Sequence, residues 1–235
     1  MARQTTLAPR PDARPDESDR QGTREKLLET AGLIFAEKGP QGATGREICE
    51  AAGANAAAIN YHFGGMDGLY AAVLEAGRDR IVATADLAAA VSSAAAPEDK
   101  LRAVVRLVAR GLLRTDRSSW ALRLLTREVM APSPVGAGVL LATAQARLGV
   151  LKALLAAILE LPTDHPAVSR CCVSITAPLQ LLLLADRAVL KRVYPELDFS
   201  ADGVEALADH FVRFAMAGLA ASAAAAREEG ARGAP

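Results

Sequence analysis

The segment TGREICEAAGANAAAINYHFG, residues 44–64, decides the fold. Thr44 and Glu47 form a capping box, in which each side chain satisfies a free backbone N–H of the other at the start of a helix. Gly53 ends this short helix, and Asn55 is a favourable cap for another short helix over residues 56–62. Two short helices joined by a glycine-containing turn are the sequence outline of a helix-turn-helix.

The flanking sequence extends the helical pattern in both directions. Apolar residues recur at helical spacing over residues 23–38, and Gly39 and Pro40 end that helix. A fourth helix follows Gly65 and is predicted to continue to about residue 91. Five further helices are predicted over residues 98–113, 118–130, 138–160, 166–193 and 201–227, with prolines in most of the gaps between them. The predicted fold is therefore all-α, with nine helices.

These elements divide the chain into four parts. Residues 1–20 contain several prolines and charges and almost nothing apolar, so a disordered tail is predicted there. Residues 21–66 form the predicted helix-turn-helix domain, and residues 67–229 form a larger helical domain for effector binding and dimerisation. Residues 230–235 are predicted to be a second disordered tail.

The composition excludes several classes of protein. Lys plus Arg and Asp plus Glu number 27 each, so the net charge of zero indicates no particular partner. The most apolar run, residues 173–185, is interrupted by Pro178 and Gln180 and is shorter than the roughly 20 residues that span a bilayer. No targeting segment is apparent, so we expect a cytoplasmic protein with no membrane partner.

The three cysteines do not form a disulfide framework. Their number is odd, and neighbours such as Cys171 and Cys172 rarely pair with each other. Cys49, Cys171 and Cys172 are expected to be free thiols in a reducing cytosol, with a redox switch at Cys171 and Cys172 as the alternative. The histidines and cysteines show no metal-ligand spacing, so no metal site is predicted.

Residues 23–74 resemble the DNA-binding region of the TetR family of regulators. The motif residues are Phe35 with Gly39, Thr44-Gly45-Arg46-Glu47-Ile48, Ala52-Gly53 and Ile59-Asn60-Tyr61-His62-Phe63-Gly64. The later chain resembles the CecR-type C-terminal region, at Thr126-Arg127-Glu128 with Pro132 and Pro134, and at residues 174–187. Two positions depart from the TetR pattern: Met66 replaces the usual phosphate-contacting Lys, and Gly45 replaces a residue that often carries a hydroxyl.

The resemblance implies that the third helix lies in the major groove. Ala56, Ala57 and Asn60 would face base edges, with Asn60 paired to adenine. Arg46 would contact guanine or phosphate, and Tyr61 and His62 would contact phosphates or, alternatively, pack between helices. The full set of expected DNA-binding residues is Thr44, Arg46, Asn55, Ala56, Ala57, Asn60, Tyr61 and His62.

If the helix-turn-helix region binds DNA, its positive and negative residues must lie on different parts of its surface. Residues 21–80 contain six Lys or Arg against eight Asp or Glu, whereas nucleic-acid-binding domains usually present a basic surface. We therefore expect the cations to be clustered; the candidates are Arg24, Lys26, Lys38 and Arg46.

Recognition of a palindrome by such a short helix requires two copies of the chain. Two apolar stripes on the last two predicted helices are candidates for the homodimer interface or, alternatively, for the subunit's own core. Their members are Cys172, Ile175, Leu179 and Leu182 on one helix, and Leu207, Phe211 and Ala215 on the other.

The middle helices are expected to hold a small-molecule effector. The candidate lining residues are Trp120, Leu124, Met130 and Leu151, with Arg123, Arg127 and Glu128 as polar anchors and core packing as the alternative for the apolar ones. The fourth helix would transmit binding to the DNA, and its Gly77 indicates close packing or a bend. Arg102, Arg106, Arg110 and Arg114 form a row that is predicted to be a solvated face or, alternatively, a contact for a partner or an anionic ligand.

Taken with the resemblance, these features predict a sequence-specific transcriptional regulator. We expect a ligand-responsive repressor that binds a palindromic double-stranded DNA operator as a homodimer and has no cofactor. The sequence contains no nucleophile elbow, phosphate loop or dinucleotide fingerprint, so an enzyme is not expected. The alternative is a helical small-molecule-binding protein or enzyme that does not bind DNA.

Overall fold

The computed structural model describes residues 17–93, 96–114, 116 and 119–233, and within these ranges it contains helices and no strands. The predicted all-α class is confirmed, but the described residues form eleven helices rather than nine. They are α1 Glu17–Gly42, α2 Gly45–Ala52, α3 Ala58–Phe63, α4 Met66–Ile81, α5 Thr84–Ser92, α6 Pro97–Arg114, α7 Trp120–Met130, α8 Pro134–Leu159, α9 Pro166–Leu184, α10 Arg187–Val193 and α11 Ala201–Gly233.

Two of the predicted helices are each divided in two. The predicted fourth helix breaks after Ile81, where Val82 adopts an extended conformation (φ −145°, ψ 112°), and α5 begins at Thr84. The predicted 166–193 helix breaks at Ala185, and Asp186 starts α10 by accepting hydrogen bonds from Ala188 N (2.7 Å) and Val189 N (3.1 Å). Aspartate is a favourable N-cap residue, which is consistent with the helix start at this position.

The chain ends also differ from the expectation. Helix α1 begins at Glu17, inside the predicted 1–20 tail, and α11 continues to Gly233, inside the predicted 230–235 tail. The rest of those two tails lies outside the described residues. Gly39 ends the regular part of α1 as predicted, with φ 73° and ψ 171°. A Cβ there would meet only the guanidinium end of the exposed Arg127 side chain, so it is the positive φ that favours glycine at this position.

Helices α1 to α4 and α7 share one core. Phe35 of α1, Ile48 of α2 and Ile59 of α3 pack in the same cluster as Tyr70 of α4 and Trp120 of α7. Trp120 is so closely covered that a Cβ on Gly32 would lie 2.6 Å from its ring and one on Gly77 would lie 3.3 Å from it. Gly77 therefore serves close packing, the first of the two alternatives for it.

Helices α6, α8, α9 and α11 form a second core, and it contains two of the three cysteines. Leu101, Leu155, Val168 and Val212 are among its buried members. Cys49, Cys171 and Cys172 are all buried free thiols. Helix α9 is long and apolar enough to cross a membrane by length and composition, but buried core helices pass the same test, and its inward face is part of this core.

The arginine row of α6 packs against α11. Arg106 binds Asp209 (Nη2–Oδ1 2.6 Å), and both Arg110 and Arg114 bind Glu205. The arginines of these three pairs remain 40–60% exposed, and Arg102 lies 4.0 Å from Asp99 of its own helix. The row is therefore a partly solvated face that also joins α6 to α11. Its acidic partners on α11 lie about a hundred residues later, where local spacing gives no signal of them.

Candidate DNA interface and effector cavity

Local interactions fix the start of α2 and the turn that leads from α2 to α3. Thr44 Oγ1 accepts from Glu47 N (3.3 Å), while the Glu47 carboxylate binds the Lys38 ammonium, so the second half of the predicted capping box is replaced by an ion pair. Gly53 adopts a left-handed conformation (φ 64°, ψ 31°) that favours glycine. Asn55 Oδ1 accepts from Ala57 N (2.9 Å), which caps the turn that leads into α3 at Ala58.

Helices α2 and α3 each have a side that is buried in the first core, and the residues on their opposite sides are exposed. Ile48, Cys49 and Ile59 are buried in the first core, with Ile59 only 4% exposed. Because Asn60 and Tyr61 follow Ile59 directly on a helix, they point away from that core. Seven of the eight expected DNA-binding residues are exposed and His62 is half-buried; the seven are Thr44, Arg46, Asn55, Ala56, Ala57, Asn60 and Tyr61.

Tyr61 and His62 form an aromatic pair on this surface. Their ring centroids are 4.9 Å apart in an edge-to-face arrangement, and Tyr61 is 67% exposed. An aromatic ring so exposed and so close to Asn60 is available for an external contact rather than for packing between helices. The arrangement is compatible with phosphate contacts through the polar tips of both side chains.

A cleft of about 740 Å³ separates the start of α1 from α3. It brings Asn55, Ala57, Tyr61 and His62 together, while Thr44, Arg46, Ala56 and Asn60 lie outside its lining. Arg20 and Lys26 supply positive charge from α1, and Arg20 keeps a buried Nε without a hydrogen-bond partner among the described residues. The sequence places Arg20 in the predicted disordered tail, but in the structure α1 begins at Glu17 and therefore contains Arg20.

Two of the four cations expected at the DNA interface are paired with carboxylates of the same region. Arg46 pairs with Glu50 (Nε–Oε1 2.7 Å) at a highly exposed site, and Lys38 pairs with Glu47. Arg24 lies over the Phe63 ring, 5.2 Å from its centroid. The Glu47 contact raises the pKa of Lys38, so this ammonium stays charged. An exposed pair such as Arg46–Glu50 is weak, so DNA phosphates could exchange for Glu50 at little cost.

The two departures from the TetR pattern are in contact with each other. A Cβ on Gly45 would lie 3.4 Å from Met66 Sδ and 3.5 Å from Ile59 Cδ1. Met66 also packs against the first core. Met66 therefore works as a packing residue that covers α2 and supports Ile59, and Gly45 leaves room for it.

An apolar cavity of about 610 Å³ lies between α5, α6, α8 and α9. Its size is in the range of small-molecule sites. Of the seven residues expected to bind an effector, only Leu151 lines it. Sequence reasoning missed its other walls, which include Leu87 and Val91 of α5, because the predicted fourth helix concealed the break that creates α5.

The other six residues of the expected effector site lie elsewhere. Trp120, Leu124 and Glu128 are buried in the joint between α1, α4 and α7, at 3%, 0% and 1% exposure. Trp120 Nε1 donates to Glu29 Oε1 of α1 (3.0 Å). The remaining three are exposed, namely Arg123, Arg127 and Met130. Trp120 and Leu124 therefore pack in a closed joint, which is the core-packing alternative, whereas Met130 is 70% exposed.

Glu128 is the centre of a buried polar network. Its carboxylate accepts from the Tyr70 hydroxyl, from Ser133 N (3.0 Å) and from Ser133 Oγ (3.2 Å). Burial, together with the hydrogen bond to Glu128, raises the pKa of the Tyr70 phenol well above its ordinary value. The network ties α4 to α7 and to the start of α8, and it leaves this carboxylate satisfied without an external ligand.

The two expected dimer stripes are directed mainly into the subunit. Cys172, Ile175 and Leu179 are buried in its own cores, and Leu182, Leu207, Phe211 and Ala215 are half-buried. Large apolar residues are exposed on the opposite faces of the same helices. These are Val173 (65%) and Leu181 (56%) on α9, and Phe214 (69%) on α11.

Two family models match successive parts of the chain. Residues 27–73 match the family model described as bacterial regulatory proteins, tetR family. Residues 97–219, just over half of the chain, match the model described as the C-terminal domain of the HTH-type transcriptional dual regulator CecR. No curated protein sequence matches the chain.

Solved structures resemble the chain over most of its length. A TetR-family transcriptional regulator from Streptomyces coelicolor is 25% identical with a TM-score of 0.58, covering 86% of this chain and 97% of its own. AibR, solved with isovaleryl coenzyme A and operator DNA, is 20% identical with a TM-score of 0.55, covering 81% and 96%. The superantigen PfiT is 22% identical with a TM-score of 0.61, covering 83% and 97%. At these identities, AibR and PfiT show likeness of fold alone.

Proposed function

Since this chain belongs to the TetR family of DNA-binding transcriptional regulators and carries a CecR-type C-terminal domain, we propose that it is a ligand-responsive repressor. It binds a palindromic operator as a cytoplasmic homodimer, and the effector occupies the cavity between α5, α6, α8 and α9. The matched families are those of transcriptional regulators rather than enzymes. The alternative of a helical protein that does not bind DNA makes the opposite prediction in every DNA-binding assay below.

The proposal rests mainly on α3, which has one buried side and one exposed side. Its Ile59 is buried in the first core, while Asn60 and Tyr61 are exposed on the same turn. A helix held in this way can enter the major groove without unfolding anything behind it. Asn60 then reads a base edge, the methyl groups of Ala56 and Ala57 pack on thymine, and Tyr61, His62 and Lys26 hold phosphates.

The homodimer is proposed to form through the exposed faces of α9 and α11. Val173, Leu181 and Phe214 are large apolar side chains that the subunit itself leaves uncovered. Burying such residues between two copies removes apolar surface from water, which favours association. The two copies of α3 would then be placed about one turn of DNA apart, roughly 34–36 Å.

The experiment is a gel shift on genomic fragments at moderate salt, followed by footprinting of the retained fragments. We expect a small set of retained fragments whose footprints contain two inverted half-sites. Binding no fragment, or binding all fragments equally, would contradict the proposal. A reporter gene under the selected operator tests the sign of regulation: deleting the regulator should raise expression.

The dimer is tested separately by replacing one exposed aromatic residue. Phe214→Glu should give monomers in analytical ultracentrifugation and should abolish operator binding. Met130→Glu is the matched control, because Met130 is 70% exposed but lies at the end of α7. If Phe214→Glu remains dimeric, the interface is on another surface.

A further inference from the structure

The apolar cavity contains one charged side chain. Among its described lining residues, Arg147 of α8 is the only ionisable one, and most of the others are aliphatic. The polar remainder consists of hydroxyl and amide groups, such as Thr176 and Gln180. A cavity of this kind solvates the apolar body of a ligand and offers a single strong anchor, which favours a negative charge.

Arg147 is held loosely where it stands. Its Nη2 is 4.0 Å from Asp79 Oδ1, which is too long for a hydrogen bond, and the two side chains are 39% and 56% exposed. The same Asp79 oxygen accepts from Thr84 Oγ1 (2.6 Å), and Thr84 is itself a cavity residue. Arg147 therefore retains donors that a ligand can use, and Asp79 would keep a partner in Thr84 if Arg147 moved.

A second guanidinium stands beside the first. Arg78 of α4 has an Nη1 that is buried without a hydrogen-bond partner among the described residues. Burial, and secondly the charge of Arg147, lower the pKa of Arg78, while Glu75 acts in the opposite sense. Arg78 is not among the described lining residues of the cavity. Its charge adds to the positive potential that an anion at Arg147 would meet.

From this arrangement we infer that the effector is an amphipathic carboxylate, whose apolar body fills the cavity and whose carboxylate pairs with Arg147 in competition with Asp79. The inference rests on the proposed function for its regulatory meaning, and it assigns the chemical class of the ligand.

The position of Asp79 gives the ligand a route to the DNA-binding helices. The next residue, Arg80, binds Glu29 of α1 and lies over the Trp120 ring, 4.9 Å from its centroid. Asp79 and Arg80 thus connect the cavity and α1 through adjacent residues of one helix. When the ligand takes Arg147 from Asp79, the C-terminal turn of α4 loses one of its contacts with α8, and Arg80 carries the change to α1. Val73 and Leu74 of α4 lie in the first core and do not line the cavity, so they are not part of this link.

The test is calorimetric titration of the full chain with decanoate and with decanol, in the absence of DNA and below the concentrations at which decanoate forms micelles. The two probes share an apolar chain and differ in charge. We expect decanoate to bind at least about tenfold more tightly than decanol, because a charge-assisted contact contributes on that scale. Equal affinities, or no binding of decanoate, would overturn the inference.

Substitutions test whether Arg147 is the residue that binds the carboxylate of the ligand. Arg147→Gln should reduce decanoate affinity about tenfold and leave decanol affinity unchanged, which also verifies that the cavity is intact. Arg102→Gln is the matched control, since Arg102 also has a carboxylate at 4.0 Å, that of Asp99, but lies outside the cavity. Decanoate binding that is equally insensitive to both substitutions would contradict the assignment of Arg147.

A third variant keeps the inference testable if Arg147→Gln does not fold. Asp79→Asn removes the competitor and should strengthen decanoate binding severalfold, with decanol unaffected. Unchanged or weaker decanoate binding would contradict the competition. These measurements contain no DNA, so their failure leaves the gel-shift result standing, and a failed gel shift would leave these affinities intact.

Discussion

The joint around Trp120 and the cavity lined by Arg147 are built in opposite ways. In the joint, Trp120, Tyr70 and Phe35 fill the space between α1, α4 and α7, and the only buried carboxylate among the described residues, Glu128, is fully satisfied. In the cavity, aliphatic side chains line about 610 Å³ around a loosely paired arginine. The difference indicates that the joint fixes the DNA-binding helices to α4, and that the cavity is the region left free to respond to a ligand.

The largest expected contrast is between the removal of a side chain from each region. Trp120→Ala should lower the free energy of unfolding by about 3–5 kcal/mol, because it opens a hole in a closed core. Leu151→Ala should cost about 1 kcal/mol, because Leu151 already faces unfilled space and its loss creates little new cavity. Urea unfolding monitored by circular dichroism measures both. Equal costs would mean that the two regions are packed alike.

Adding a methyl group should have opposite effects in the two regions. Gly32→Ala should cost about 1–3 kcal/mol, because the new Cβ would lie 2.6 Å from the Trp120 ring. Gly149→Ala, in the α8 segment beside the cavity, meets nothing within 4 Å and should stabilise the protein by up to about 1 kcal/mol through helix propensity. Thermal unfolding of both variants measures the two changes in stability. A stabilised Gly32→Ala variant would contradict the close packing around Trp120.

The sequence predicted the helix-turn-helix better than the cavity, and the reason is physical. The helix-turn-helix is specified by neighbours in the chain, such as the Thr44 cap, the Gly53 turn and the Asn55 cap, and the structure contains all three. The cavity depends on the break between α4 and α5 and on contacts between helices far apart in sequence, for which a single sequence gives no local signal. Trp120 and Glu128 were assigned to a ligand because composition alone cannot distinguish a buried polar joint from a binding site.

The smallest expected effect is a pH dependence that originates in the joint. Burial beside Glu128 raises the pKa of Tyr70 in the folded state, whereas in the unfolded chain a tyrosine titrates near 10. The unfolded state therefore loses this proton first, so the stabilisation is complete below about pH 10 and decreases above it by up to about 1.4 kcal/mol per pH unit. Tyr70→Phe should lack this component in urea unfolding at pH 9, 10 and 11. Identical slopes for the variant and the wild type would contradict it.

The central claim, that α3 reads DNA sequence, is tested most directly by measuring two affinities for each of two adjacent variants. Affinities of Asn60→Ala and Tyr61→Phe are measured by gel shift for the selected operator and for a scrambled sequence at one salt concentration. Asn60→Ala should lose about tenfold or more on the operator and little on the scrambled DNA. Tyr61→Phe should weaken both to a similar extent. If Asn60→Ala instead weakens both sequences equally, or changes neither, α3 is not the reading helix and the account is wrong.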